Sequence, residues 1–304
     1  MSRPAGWMVT SGWPVRLGRS GLMLTALLIA VAFVAADEKG AKDSTGQEVA
    51  EKSGEARLIE ERNELMRELV AGFQVESNAP GFPVQFEPEP IFRYTNPDGG
   101  AVAASVWKLG GEGRPRALLT VELNLTAIKR PAVMYEYSSL TATPFVLVSP
   151  RMRWSPSRTL YEFKPLPDMP PPEATPARRL IQMRSAADRF ACSEADSVKR
   201  NELRLLRQPV DRYKPGQVEG ADGAIFLFVF GTNPEVVLFL ESDGAEWTYA
   251  IGRMTGAPTV SMKLDGQTVW EGAPLEKRDD SPYTGSSDAI VIPGFTAEGK
   301  ELAE

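Results

Sequence analysis

Two sets of short segments alternate apolar and polar residues with a period of two, and this pattern sets the fold class. In residues 117–125, Leu119, Val121, Leu123 and Leu125 alternate with Thr120, Glu122 and Asn124. Residues 102–109, 133–137 and 145–148 complete the first set; 224–230, 235–240, 246–251, 259–264 and 268–270 form the second. Alternation broken by turn residues marks antiparallel strands. Residues 224–230 (AIFLFVF) are apolar throughout, which predicts a central strand buried on both faces. Asp265-Gly266 supplies a tight hairpin turn. One helix is predicted over 55–73, where Leu58, Ile59, Leu65, Met66, Leu69, Val70 and Phe73 recur near the helical period. A second is capped by Thr175, starts at Pro176 and runs to about residue 191.

The two sets read as copies of one unit. Pro90-Ile91-Phe92-Arg93-Tyr94 matches Pro209-Val210-Asp211-Arg212-Tyr213, and Asp98-Gly99 is paired with Asp222-Gly223. Pro115 precedes Glu122 as Pro234 precedes Glu241, and Tyr135, Thr141 and Pro144 keep the spacing of Tyr249, Thr255 and Pro258. Chance likeness between two meanders competes with duplication, but shared spacing across several anchors favours duplication. The expectation is an α+β, β-rich protein of two similar helix-plus-antiparallel-meander units, at 56–164 and 176–271. A Pro-rich connector at 165–175 joins them. A polar C-terminal tail at 272–304 follows, loose apart from a short strand at 289–292.

The N-terminus reads as an export signal. Arg3, Arg16 and Arg19 are the only charges in residues 1–36, and an apolar run over 21–36 stops at Asp37-Glu38-Lys39. Small residues Val34 and Ala36 place cleavage after Ala36. The run is shorter than the roughly 20 residues that span a bilayer, although an uncleaved anchor is the competing reading. Residues 37–55 are small and charged and are expected to be a disordered tether. Localisation would be periplasm, cell envelope or outside the cell, with no membrane span after cleavage.

Composition narrows the chemistry. Loss of residues 1–36 leaves 31 basic and 40 acidic side chains, a net charge of −9, which argues against nucleic acid as a partner. The chain has no histidine, so serine–histidine hydrolysis and imidazole acid–base catalysis are excluded. One cysteine, Cys192, rules out an intrachain disulfide; it is expected to be a half-buried, inert thiol at the end of the second helix. No cofactor motif or metal-spaced cluster is present in the sequence.

The site candidates are few. Glu122 and Glu241 are the acids held in register by the repeat. Facing each other across a cleft, they could hydrolyse a glycosidic bond or hold a divalent cation. The commoner alternative is a pair of strand-end acids bonded to Arg93 and Arg212. Arg178, Arg184 and Arg189 belong to a basic stripe on the second helix: an anion site, or more often a solvated face paired with local acids. Glu136 could join Glu122 and Asn124 on a polar sheet face, with the wet side of a sheet favoured over a ligand surface.

The segments RRLIQMRSAADRF (178–190), ELRLLRQPVDRY (202–213), DGAIFLFVFGTNPEVVLFLE (222–241) and WTYAIGRM (247–254) resemble a family of uncharacterised signal-peptide-bearing proteins from planctomycete bacteria. The GRP at 113–115 and YEYSSLT at 135–141 are similar to that family's N-terminal half. The resemblance implies a bacterial, exported protein and assigns no activity. The expected function is a non-enzymatic binding or structural/interaction protein. The alternatives are a glycosidase-like carboxylate hydrolase acting on an envelope or extracellular polymer, and an anion-binding module.

Overall fold

The structure, a computed structural model, describes residues 39–149, 152–159, 161–195, 199–256, 259–272 and 280–302. The signal segment and its cleavage point lie outside them. The chain divides into two compact units, Met1–Val49 and Ala50–Glu304. Of the first, the described part is the helical start of α1; everything below concerns the second.

Helix α1 (Lys39–Ala71) begins well before the position expected from periodicity, so residues 39–55 are helical rather than a disordered tether. No proline interrupts the segment, and a helix already nucleated by its packed half extends without a second nucleation cost. Met66, Val70 and the following Phe73 are its buried anchors. β1 (Gln74–Glu76) follows. The first meander is β2 (Phe92–Asn96), β3 (Ala101–Leu109), β4 (Ala117–Asn124) and β5 (Ala132–Ser139). The hairpin β6 (Val146–Ser149) and β7 (Met152–Trp154) then pairs with β1. β8 (Lys164–Pro165) and α2 (Pro176–Ala187) lead into the second half. That half comprises β9 (Phe190–Ala195), β10 (Arg200–Leu205), β11 (Asp211–Tyr213), β12 (Ala221–Phe230), β13 (Asn233–Asp243), β14 (Trp247–Arg253), β15 (Thr259–Leu264) and β16 (Gln267–Gly272). β17 (Tyr283–Ala289) is the last strand.

The strands form a five-stranded sheet, β17-β5-β4-β3-β2, and a nine-stranded one, β16-β15-β9-β10-β12-β13-β14-β8, with β11 also on β12. All pairings are antiparallel among the described residues. In both halves a helix leads into a strand that later pairs with a hairpin, β1 with β6 and β9 with β15, around a central meander.

Three buried clusters define the layers. Leu119, Val121, Leu123, Tyr135 and Tyr137 pack outward against α1 and the β1-β6-β7 sheet. Phe226, Phe228, Leu238 and Ile251 pack outward against α2, β9 and β15. Between the sheets, Ala104, Val106 and Leu118 meet Ile225, Leu227, Val237 and Phe239. β12 therefore contributes alternate residues to two cores, which is why its sequence is apolar without interruption.

Several expectations are corrected. α2 keeps its Thr175 cap and Pro176 start but ends at Ala187. Phe190 and Cys192 instead pair with Leu264 and Met262. Cys192 is thus a fully buried strand residue, and burial pushes its thiol up to about 12. The segment beyond 272 is not a loose tail where it is described. β17 completes the first sheet beside β5, and Tyr283 and Ile292 are buried. The strand lies at Tyr283–Ala289 instead of 289–292 because only alternate residues face inward, so its sequence (YTGSSDA) carries little apolar signal. Asp98-Gly99 sits in a 3-10 turn whereas Asp222-Gly223 lies inside β12, so these two pairs are not counterparts.

Candidate functional site

The faces that the two sheets turn toward each other carry the buried polar groups. Since alternate residues of a strand point to opposite faces, Glu122 lies on the inner face of β4, and Glu241 on that of β13. Tyr94 crosses Ala104 to donate a hydrogen bond to Glu122 Oε1 at 2.7 Å. Tyr213 crosses Gly223 to donate to Glu241 Oε1 at 2.6 Å. Tyrosine and glutamate are 28 residues apart in both pairs. A Cβ on Gly223 would sit 2.7 Å from the Tyr213 ring, so glycine is what lets the phenol pass. The expected partners Arg93 and Arg212 bond elsewhere, to Glu89 and Asp222.

The two glutamates do not share a cleft. Burial raises the Tyr94 phenol, and Glu122 and then Glu136 and Glu235 add to it, which puts Glu235 at the Glu122 end. Glu241 is six residues further along the extended strand β13, about 20 Å at ~3.3 Å per residue. A glycosidase pair needs a separation of about 5–9.5 Å. The geometry expected of Glu122 and Glu241 as partners is therefore absent.

Their surroundings also differ. Glu241 is 2% exposed and closed by Arg114, whose Nε donates to Oε1 at 2.7 Å and whose Nη2 donates to Oε2. The Arg114 guanidinium lies over the Phe163 ring, 4.2 Å from its centre. This clamp ties the β3–β4 turn to the second sheet.

At the Glu122 end no ion pair joins Glu122, Glu136 or Glu235 to a lysine or arginine among the described residues. Burial raises the Glu122 carboxyl, opposed by hydrogen bonds from Tyr94 and Asn124. Burial pushes Glu136 up to about 8, with the Tyr283 hydroxyl opposing and Glu122 adding repulsion. Glu235 also rises to about 8 through burial; Thr255 and Asn233 oppose, while Glu194 and Glu136 repel. Glu136 is walled by protein yet keeps part of its surface open, as does Glu122, so these groups line a crevice. Beyond Tyr283, Arg253 is 3% exposed, and none of its three guanidinium nitrogens has a hydrogen-bond partner among the described residues. Burial lowers its pKa.

The face of Glu122, Asn124 and Glu136 is therefore not the wet side of a sheet; it is covered by the second sheet. Asn124 has a turn-forming role there, its Oδ1 accepting from Thr126 N at 2.9 Å and Ala127 N at 2.8 Å.

The arginine stripe disperses. Arg178 pairs with Glu173 at 3.5 Å, Arg184 donates to Gln208, and Arg189 bonds Asp265 and the Pro167 carbonyl. They do not converge on one site. Arg179 on the same helix is the buried one, donating through Nε to Asp222 at 2.9 Å. Its spacing of four from Met183 was the available signal. Glu235, Arg253 and Tyr283 had no comparable signal, because only the packing of one sheet on the other brings them to Glu122.

Among the described residues no group of three or more His, Cys, Asp or Glu is arranged to hold a metal, and no helix is long and apolar enough to cross a membrane. The chain matches no family model, and no curated protein and no solved structure is significantly similar to it.

Proposed function

We propose that this is an exported, non-enzymatic binding protein whose ligand site is the crevice around Tyr94, Glu122 and Glu136, and that its two sheets descend from one duplicated unit. One observation carries the reading. The same tyrosine–glutamate pair is built twice, closed by Arg114 at one end and without an ion-pair partner among the described residues at the other. Unpaired buried polar groups cost free energy unless something bonds them, and a ligand would supply those bonds. Duplication is supported by the shared 28-residue separation and by the matching cross-strand neighbours Ala104 and Gly223. Export rests on the N-terminal sequence and on the resemblance to signal-peptide-bearing bacterial proteins, and intact mass of the secreted form should begin at Asp37.

A thermal-shift screen of small charged and neutral ligands tests the binding reading. A true ligand raises the midpoint of the native protein and loses that effect in Glu122→Gln, because only binding to the folded state stabilises it. A ligand-induced shift that Glu122→Gln leaves unchanged would remove the crevice from consideration.

Hydrolysis is the second reading, favoured by one fact. Glu122 and Glu136 are diagonal neighbours on adjacent strands, about 7–8 Å apart, and both carboxyls are raised. That would suit a protonated general acid beside a second carboxyl. Cleavage of a polymer fragment by the native protein, abolished in Glu136→Gln, would replace binding with catalysis. The anion-binding alternative through Arg178, Arg184 and Arg189 has no convergent geometry behind it.

A further inference from the structure

We infer that the Glu122 crevice takes an organic cation, a guanidinium or alkylammonium group on a short apolar stem, in the place that Arg114 fills at the Glu241 end. The inference rests on the binding reading above and names its ligand class.

The first ground is internal comparison. Two phenol–carboxylate pairs of equal construction differ in their third member. Glu241 receives two N–H donors from a guanidinium, whereas Glu122 receives only Tyr94 and Asn124. The residue at Arg114's relative position in the second meander, one before the aligned proline, is Asn233. It donates instead to Glu235 Oε1 at 2.6 Å. The carboxylate lone pairs that Arg114 fills on Glu241 are therefore left for a donor from outside.

The second ground is independent of the acids. Tyr283 is 4% exposed, turns its hydroxyl toward Glu136, and has no other hydrogen-bond partner among the described residues. It offers an acceptor next to the carboxylates, which suits an N–H donor. A pocket of about 410 Å³ lies beside Tyr94, lined by Ile59, Phe92, Val102 and Thr232 and also by Arg62 and Arg93, which bond the Pro293 carbonyl and Glu89. Its apolar wall fits a methylene stem rather than a bare ion.

Charge sets a pH dependence. The groups facing the crevice are Tyr94, Glu122, Glu136, Glu235 and Tyr283, with Glu194 behind Glu235 and Arg253 behind Tyr283. Arg253 opposes a second cation, as do Arg62 and Arg93 on the pocket wall, although these two are engaged by the Pro293 carbonyl and Glu89; ionised Glu122, Glu136 and Glu235 act in its favour. A cation favours the ionised carboxylates, so binding releases protons and tightens as pH rises toward 8 and above.

Calorimetric and NMR titration of the full secreted chain with methylguanidinium, butylammonium and N-acetyl-arginine amide tests this. The expected result is saturable one-to-one binding, at least about tenfold tighter at pH 8.5 than at pH 6.5, with proton release. Stronger binding of the amino-acid amide than of the free cations would assign the source as a peptide side chain; the reverse would assign a free amine or guanidine. Glu122→Gln should weaken binding at least about tenfold, and Glu136→Gln, a neutral isostere, should flatten the pH dependence even if Glu122→Gln fails to fold. Arg178→Ala on α2 should bind as the native chain does. Cation binding that Glu122→Gln and Glu136→Gln leave unchanged overturns the inference. So does a neutral sugar or carboxylate probe that alone shifts the resonances around Tyr94; that outcome keeps the binding site and rejects its ligand class. If no probe shifts those resonances, both fall.

Discussion

Arg114 and Glu241 show how much one residue can decide. Glu241 is 2% exposed, and the Arg114 guanidinium neutralises it while reaching from the other sheet. Arg114→Ala leaves a buried carboxylate with Tyr213 as its hydrogen-bond partner. We expect a loss of about 2–3 kcal/mol, at or just below the ~3–5 kcal/mol for breaking a fully buried pair, because Arg114 is itself partly solvated. Urea midpoints read it directly, and pairing Arg114→Met with Glu241→Gln should recover most of it. The opposite end predicts a pH effect. Glu136 and Glu235 keep protons up to about 8 in the fold, whereas an unfolded glutamate releases its proton near ~4.3. Their contribution to stability is fully present below the unfolded value and is lost as pH rises through about 8. Glu235→Gln should match the native melting midpoint near pH 5 and exceed it at pH 9. The sequence displayed the register of Glu122 and Glu241 and the tyrosines that precede them. It could not display Glu235, Arg253 or Tyr283 as their neighbours, since those contacts depend on how one sheet lies on another. Alternation says which face a residue takes and nothing about what covers that face.

At the scale of elements the pattern was far more readable. The nine segments read as strands all became strands, because each buries at least one face. α2 shows both success and its limit. Thr175 accepts from Arg178 N, and Pro176 occupies the first turn, as the cap and proline signals required. Thr175→Ala should cost about 1 kcal/mol, seen as a shift in the thermal midpoint. Its far end was misjudged because Phe190 continues the apolar helical spacing while pairing with Leu264 is worth more to the fold. β17 was hidden for the reverse reason: one face is solvated and its residues are small and polar. The element is nevertheless essential. It covers the open side of β5, and the adjacent Ser281 carbonyl accepts the indole N–H of the fully buried Trp154 at 2.8 Å. Deleting residues 281–304 should yield an insoluble or dye-binding chain by light scattering and fluorescence.

For the whole molecule, the two sheets are not independent domains that happen to touch. The inner cluster of Val106, Leu118, Ile225, Leu227 and Phe239 is common property, and the last strand returns to the first sheet. A fragment of residues 50–156 lacks both its cover and its edge strand. Expressed alone, it should be dimeric or partly folded by size-exclusion chromatography and circular dichroism, and a well-ordered monomer would contradict this packing. The absence of disulfides makes this shared interior the main source of stability.

The Pro-rich stretch after β8 has a consequence beyond connecting two halves. Among the described residues Lys164 and Pro165 are all that pairs with the outer side of β14, and Pro167, Pro170, Pro171 and Pro172 follow at once. A proline nitrogen has no hydrogen to offer an incoming strand. The nine-stranded sheet is thus sealed on that flank by a segment that cannot template another copy. Within this sheet, edge-to-edge addition of another strand would have to start from the β16 flank.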